Sequence, residues 1–283
     1  MIPPGQPDAV HDPDVSVLLH LSDPHFGAEE SGAVTALLAL AEQERPDVVV
    51  ASGDITQRAR AAEFDAAQRF FERLDARHVL VVPGARDIPL WDLPQRLLAP
   101  FAGFRRVFGD NLEPRLIAPF VWIAGLVSPR RWRHANGALS RDQVLRTAQW
   151  LQAAPPGVLK VVAVHHPMAA MHWYDEDDVV PGATEALARW AEAGVHVVLG
   201  GHTHRPSALA VRPTAGGPGL ALWVAQAGSA ISRRLVPGGT QSVNLLRRGA
   251  AGNWRIEQWD LRREAGAFAR CRWRQIGVQG PIL

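Results

Sequence analysis

The chain has 283 residues, 47% of them hydrophobic and 20% charged, a balance that suits a globular protein with a sizeable buried core. Thirty basic residues against 28 acidic leave a net charge of +2, and no basic run with interleaved aromatics is present to suit a nucleic-acid groove. The lone Cys271 excludes an intramolecular disulfide and a cysteine-based metal cluster, and no apolar run reaches the ~18 residues of a membrane-spanning helix.

Met1 to Pro7 lacks the basic and then apolar order of a secretory signal. Residues 1–14 therefore read as a flexible tail, residues 15–283 as one domain, and the cytoplasm as the expected location. Val15 to Leu21 is a β-rich run that ends in the turn Ser22-Asp23-Pro24-His25. Apolar residues at helical spacing (Val34, Leu37, Leu38, Ala41) predict a helix from Ser31 to Glu44, stopped at Pro46. Asp47 to Ser52 carries three successive valines and suits a strand buried on both faces. Residues 60–74 are helical on the stripe Phe64, Ala67, Phe71 and Leu74, and His78 to Val82 is a third strand, closed by Pro83-Gly84. This β-α-β-α-β order predicts a partly parallel α/β sheet.

Residues 88–112 read as an irregular or helical excursion over the sheet. Strands are expected near 114–118 and 121–127, and a helix over 140–153 with Ser140 as its cap. A strand from Val158 to Val164 leads into His165-His166-Pro167. After a helix over 182–193, a strand from Val195 to Leu199 leads into Gly200-Gly201-His202-Thr203-His204. The runs at 207–212, 220–226, 241–247 and 253–260 read as successive strands.

In sheets of this kind ligands sit beyond the carboxyl ends of the strands, and Asp23/His25, Asp54 and Asp87 each follow one. Asp-x-His at 23–25 puts a carboxylate and an imidazole on one turn. Gly53-Asp54 adds a second carboxylate, with a glycine that permits close backbone approach. Taken singly, each is an ordinary turn. His202-x-His204, with no cysteine nearby, suits divalent ions of intermediate softness. Five histidines and two aspartates at the exits of separate strands together point to a metal site.

These blocks resemble the calcineurin-like metallophosphoesterases, whose pattern is Asp-x-His, Gly-Asp, Gly-Asn-His-Asp/Glu, a His in a His-x-Pro context, and Gly-His-x-His. The matching stretches are Asp23-Pro24-His25, Gly53-Asp54, Gly84-Ala85-Arg86-Asp87, His165-His166-Pro167 and Gly201-His202-Thr203-His204, in order over residues 16–206. The opening His20 to Gly27 looks closest to the class III cyclic-nucleotide phosphodiesterase branch. The resemblance implies an α/β fold, a four-layer α/β/β/α sandwich with two mixed β-sheets. It also implies metal-dependent hydrolysis of phosphodiester or phosphoanhydride bonds in a small phosphorylated substrate. Two divalent ions (Mn, Fe or Zn) are implied, one held by Asp23, His25, His204 and the bridging Asp54, the other by Asp54, His165 and His202. A bridging water is then the nucleophile.

The third block departs from the family. Ala85 stands where an Asn usually ligates the second ion, so weaker occupancy of that position is expected. Arg86 stands where a His usually assists the leaving group; arginine clamps phosphate oxygens but donates no proton near neutral pH. That favours leaving groups that need no proton, and it is similar to the UDP-diacylglucosamine pyrophosphatase branch. Asp87 is expected to orient Arg86 by a salt bridge, and His166 to lie beside the ligands and the substrate. Arg58 and Arg60 read as helix-start surface residues. Arg130, Arg131 and Arg133 around Trp132 read as solvated surface, Asp175 to Asp178 as an exposed loop at the cleft rim, and Trp91 and Trp132 as core. The competing readings are a pseudoenzyme that binds a metal or a phosphorylated ligand without turnover, and a nuclease-like activity, which the lack of a basic tract disfavours.

Overall fold

A computed structural model describes residues 17–132, 136–212, 221–249 and 252–277. The expected tail, the first two residues of the first predicted strand, and Arg133 lie outside those residues. The first third is β1 (Val17–Leu21), α1 (Ser31–Glu44), β2 (Val48–Ser52), α2 (Ala61–Arg73) and β3 (His78–Val82), in the order expected. The excursion after β3 holds two short helices, α3 (Leu93–Leu98) and α4 (Ala102–Phe108). Then come β4 (Arg115–Ala118), β5 (Val121–Leu126), α5 (Arg141–Gln152), β6 (Leu159–Val164), α6 (Ala183–Glu192) and β7 (Val197–Gly200). The chain ends in β8 (Ser207–Val211), β9 (Leu222–Gln226), β10 (Ser242–Arg248), β11 (Trp254–Arg262) and β12 (Ala267–Ile276). Ser140 caps α5 as expected: its Oγ accepts from Gln143 N at 3.1 Å, and Gln143 Oε1 accepts from Ser140 N at 2.8 Å.

The strands form two mixed six-stranded sheets, β12-β11-β10-β1-β2-β3 and β4-β5-β6-β7-β9-β8. In the first, β1, β2 and β3 are parallel and β10 runs antiparallel to β1. In the second, β5, β6, β7 and β9 are parallel, with β4 and β8 antiparallel at the edges. The sequence reading missed β12. Its arginines at 270, 272 and 274 alternate with Ala269, Cys271 and the exposed Trp273 and leave no apolar run to mark a strand; such charge is how an edge strand discourages further pairing.

Period-2 alternation explains the layers. Leu18, Val48, Val50, Leu80 and Val82 face inward against Leu116, Ile123, Leu159, Val161 and Leu199 of the other sheet. Their neighbours Leu19, Leu21, Val49 and Ala51 turn outward to pack under α1, α2 and α4. Val162, Val164, Val198 and Val224 do the same under α5 and α6. Both sheets are thus covered on both faces, which is why their strands read as unbroken apolar runs, and the layers stack α/β/β/α. Two expectations about the core fail. Trp91 is 85% exposed and Trp132 67% exposed, because both sit on loops beyond the strand ends, where no layer covers them. Among the described residues, no helix is long and apolar enough to cross a membrane.

Candidate metal centre

The parallel strands of both sheets deliver their carboxyl ends to one edge, and the turns there are held in an unusual backbone state. Eight non-glycine residues among those described have positive φ, and five are Asp23 (51°), His25 (46°), Asp54 (49°), His202 (74°) and His204 (55°). Left-handed backbone is costly for such residues and gathers at functional sites. Two glycines allow the turns to close on one another. A Cβ on Gly84 would lie 2.0 Å from Asp54 N, and one on Gly201 would lie 1.8 Å from Ser22 Oγ.

The six predicted ligands converge. Buried Asp23 places Oδ1 3.2 Å from His204 Nε2 and 3.6 Å from His25 Nε2, while its Oδ2 accepts from His202 N at 2.9 Å. His25 and His204 bring their Nε2 atoms to 3.0 Å. Asp54 stands between the two halves: Oδ2 is 3.9 Å from His25 Nε2, and Oδ1 is 3.2 Å from His165 Nε2. The ligand atoms of His165, His166 and His202 form an adjoining group, all within 4.8 Å of one another.

Outer contacts set the imidazoles. His165 Nδ1 donates to Ser52 O at 2.8 Å and His204 Nδ1 to Arg234 O at 2.7 Å, so each turns an Nε2 lone pair inward, as metal-ligating histidines do. His202 Nε2 lies 3.4 Å from Asp178 Oδ1. Asp23 Oδ1, His25 Nδ1 and His165 Nε2 are buried without a hydrogen-bond partner, a costly state for carboxylate and imidazole atoms. A divalent cation satisfies most of them at once, so these residues fit the group they were expected to hold.

The electrostatics agree. Burial resists the charge on Asp54 and Asp23, yet His165 and His204 respectively hold them well below the usual carboxylate range. Burial also resists a charged His165, but Asp54 overrides it and raises that pKa to about 9. His25, where burial dominates, falls to about 4. Here a proton on His165 occupies the electrostatic place of a cation.

Other predicted residues are placed differently. Asp87 does not pair with Arg86. Its carboxylate accepts from Gly84 N (2.8 Å), Ile55 N (3.1 Å), Thr56 N (2.8 Å) and the Thr56 hydroxyl (2.9 Å). The single 3₁₀ turn Ala85–Asp87 drives residue 87 under the loop and leaves residue 86 at the surface. Asp87 therefore ties the turn after β2 to the turn after β3, and burial followed by the charge of Asp54 lifts its pKa to about 7. Arg86 instead reaches Asp54, Nε to Oδ2 at 3.7 Å, and donates its backbone N–H to Asp54 Oδ1 at 2.8 Å. His166 lies beside the ligands, its Nδ1 2.7 Å from Ser128 Oγ and its ring 4.7 Å from that of His202. Arg58 and Arg60 are exposed at the start of α2, as expected. The acidic stretch is only partly a solvent loop, because Asp175 is buried and pairs with Arg205 at 2.8 Å. Sequence reasoning missed Asp178 as a partner of His202 and Arg234 as a partner of His204. A lone acidic run and a lone loop arginine carry no local signal of either contact.

The sequence matches the family model described as calcineurin-like phosphoesterase over residues 16–206. No curated protein sequence matches the chain. Among solved structures, a dimetal phosphatase from Danio rerio is similar at 15% identity and a TM-score of 0.59, covering 95% of this chain and 100% of that one. Purple acid phosphatase PPD1 from yellow lupin (Lupinus luteus) seeds is similar at 11% identity and a TM-score of 0.69, covering 93% of this chain and 54% of that one. Vps29 from Chaetomium thermophilum is similar at 12% identity and a TM-score of 0.50, covering 95% and 99%. At such identities what is shared is the fold.

Proposed function

The chain belongs to the calcineurin-like phosphoesterase family, and on that premise we propose that it is a metal-dependent hydrolase of phosphodiester or phosphoanhydride bonds in small phosphorylated substrates. The observation that carries the reading is the position of Asp54 between two donor groups, one built on Asp23, His25 and His204 and the other on His165 and His202. Asp23, His25, His204 and Asp54 would hold one ion, and Asp54, His165 and His202 the other. The mixed nitrogen and oxygen donors, without sulfur, suit Mn, Fe or Zn. When bound, two such ions supply Lewis acidity at the phosphate and a water nucleophile at neutral pH.

The chain's own residues do the rest. Arg86 stands at the edge of Asp54 with its side chain 37% exposed, so its planar fork is free to grip phosphate oxygens and stabilise the charge that builds on them. It delivers no proton near pH 7, which favours a leaving group that departs as a weakly basic anion. Asp87 keeps Arg86 in place by pinning the loop beneath it. His166, held by Ser128, lines the second half and is assigned to substrate contact.

The test is hydrolysis of bis-p-nitrophenyl phosphate by metal-free protein titrated with Mn²⁺, with Asp54→Ala as the control. Metal-dependent turnover that disappears in the control is the expected result; equal turnover in both proteins refutes the reading. A second reading, binding without turnover, draws on Ala85, whose methyl group brings no donor to the second half. Stoichiometric metal uptake with no hydrolysis under Mn²⁺, Zn²⁺ or Fe²⁺ would establish it.

A further inference from the structure

A second guanidinium borders the centre. Arg234 lies in the loop between β9 and β10, which is stitched to the ligand-bearing turn after β1. Ala230 N donates to Ser22 O at 2.9 Å, and the Ser229 hydroxyl donates to Asp23 O at 2.9 Å. Glu30 N donates to Ile231 O at 2.8 Å, and Arg233 N to Ala28 O at 3.0 Å. Arg234 N donates to Ser232 Oγ at 3.0 Å, and Arg234 O accepts from His204 Nδ1 at 2.7 Å. The backbone from Ser229 to Arg234 is therefore fixed by the same contacts that place Asp23 and His204.

Its side chain is uncommitted. Among the described residues the Arg234 guanidinium makes no hydrogen bond or ion pair, and its Nε is buried without a partner. The charges of Asp54, Asp23 and Arg86 all act on it; burial first and Arg86 second lower its pKa from the ordinary arginine value. Among the described residues the carboxylate that pairs with Arg86 is Asp54, which belongs to the metal centre. Arg86 beside Asp54 and Arg234 beside His204 thus set two positive charges at the border of one centre; like charges repel, and an anion bound by both relieves that repulsion. Arginine's fork is matched to phosphate oxygens.

We propose that Arg234 is a second phosphate-binding residue, and that Arg86 and Arg234 together select substrates with two adjacent phosphates, a phosphoanhydride over a simple phosphodiester. The proposal rests on the hydrolase reading above and narrows it. A phosphodiester has a single charged phosphate to share between two forks, whereas a diphosphate gives each fork its own. In the reaction, water oxygen bonds to one phosphorus as the bridging P–O bond breaks. The electron pair leaves on the departing phosphate oxygen, and the proton of water passes to solvent. The departing phosphate needs no proton, which accords with arginine at position 86.

The test compares calorimetric Kd values for inorganic phosphate and for imidodiphosphate on the Mn²⁺-loaded protein, Arg234→Ala and Arg234→Lys. Arg234→Ala is expected to weaken imidodiphosphate about tenfold or more, the ~1.4 kcal/mol of a charge-assisted contact, and phosphate by less than about threefold. Arg234→Lys should recover part of the loss. Metal content should not change, because His204 is held by the Arg234 main-chain carbonyl, which alanine keeps. Equal weakening of both anions, no weakening, or loss of metal in Arg234→Ala overturns the proposal. Calorimetry does not require turnover. A protein that hydrolyses neither bis-p-nitrophenyl phosphate nor inorganic pyrophosphate but shows the Arg234-dependent preference sinks the hydrolase reading and leaves the two-phosphate site standing.

Discussion

The two halves of the metal centre are built to different standards. In the first, Asp23 and His25 are fully buried, and His204 is held by a main-chain carbonyl on a loop that is itself pinned to the turn carrying Asp23. In the second, His165 is equally buried and held by Ser52 O, but His202 and Asp178 are partly exposed and hold each other by side chains alone. Ala85 adds nothing there. Main-chain anchors fix a ligand's direction more rigidly than side-chain anchors on a surface loop, so the first half should bind its ion tightly and the second weakly.

Removing the residue common to both halves breaks the comparison most completely. Asp54→Ala should abolish uptake of both ions and lower hydrolysis by roughly 10³-fold or more, read by metal analysis beside the nitrophenolate assay. A variant that keeps one tightly bound ion would show that Asp54 does not join the halves. Asp178→Ala separates them: affinity for the second ion should fall about 10- to 100-fold, as for other outer partners of metal-bound histidines, with the first unchanged. Asp178→Asn, which still accepts from His202, should lose much less; if it loses as much as alanine, Asp178 does not act by orienting His202. Ala85→Asn narrows the difference from the other side. It should tighten the second ion by about tenfold, and an isotherm identical to the parent's would mean that position 85 does not face that ion.

The smallest expected effect concerns protons. In metal-free protein the His165 pKa stands at about 9 against an ordinary 6.5, so the folded state keeps a proton that the unfolded chain releases. That stabilisation is complete below pH 6.5 and disappears as pH rises through 9. Thermal melts should show Tm falling over that window without metal. With saturating Mn²⁺, which replaces the proton, Tm should stay nearly level. A metal-free Tm that rises over the same window would contradict the assigned Asp54–His165 pairing.

Much of this was legible from residues alone. The β1 to β3 strands and their helices announced themselves through apolar runs and spacing, and the donor residues through their place just after strands. The exceptions have physical causes. β12 is an arginine-rich edge whose alternation sets arginines against Ala269, Cys271 and Trp273, so no apolar run marks it. Trp91 and Trp132 have core-like side chains on loops that no layer covers. Asp87 looked like a partner for its neighbour Arg86, but a 3₁₀ turn separates the two directions, and besides Gly84 N its partners are Ile55 and Thr56, 32 and 31 positions earlier in the chain.

By itself the sequence determined the kinds of donors and the turns that carry them, because those depend on residues within a few positions of one another. Only the tertiary structure decided which donors meet. His25 and His204 touch across 179 positions, His165 reaches Ser52 O across 113, and Asp23 is linked through Ser229 to the loop of Arg234 across 206. Those contacts exist because two sheets pack face to face with their strand ends at one edge, and no local pattern encodes which strand ends will adjoin.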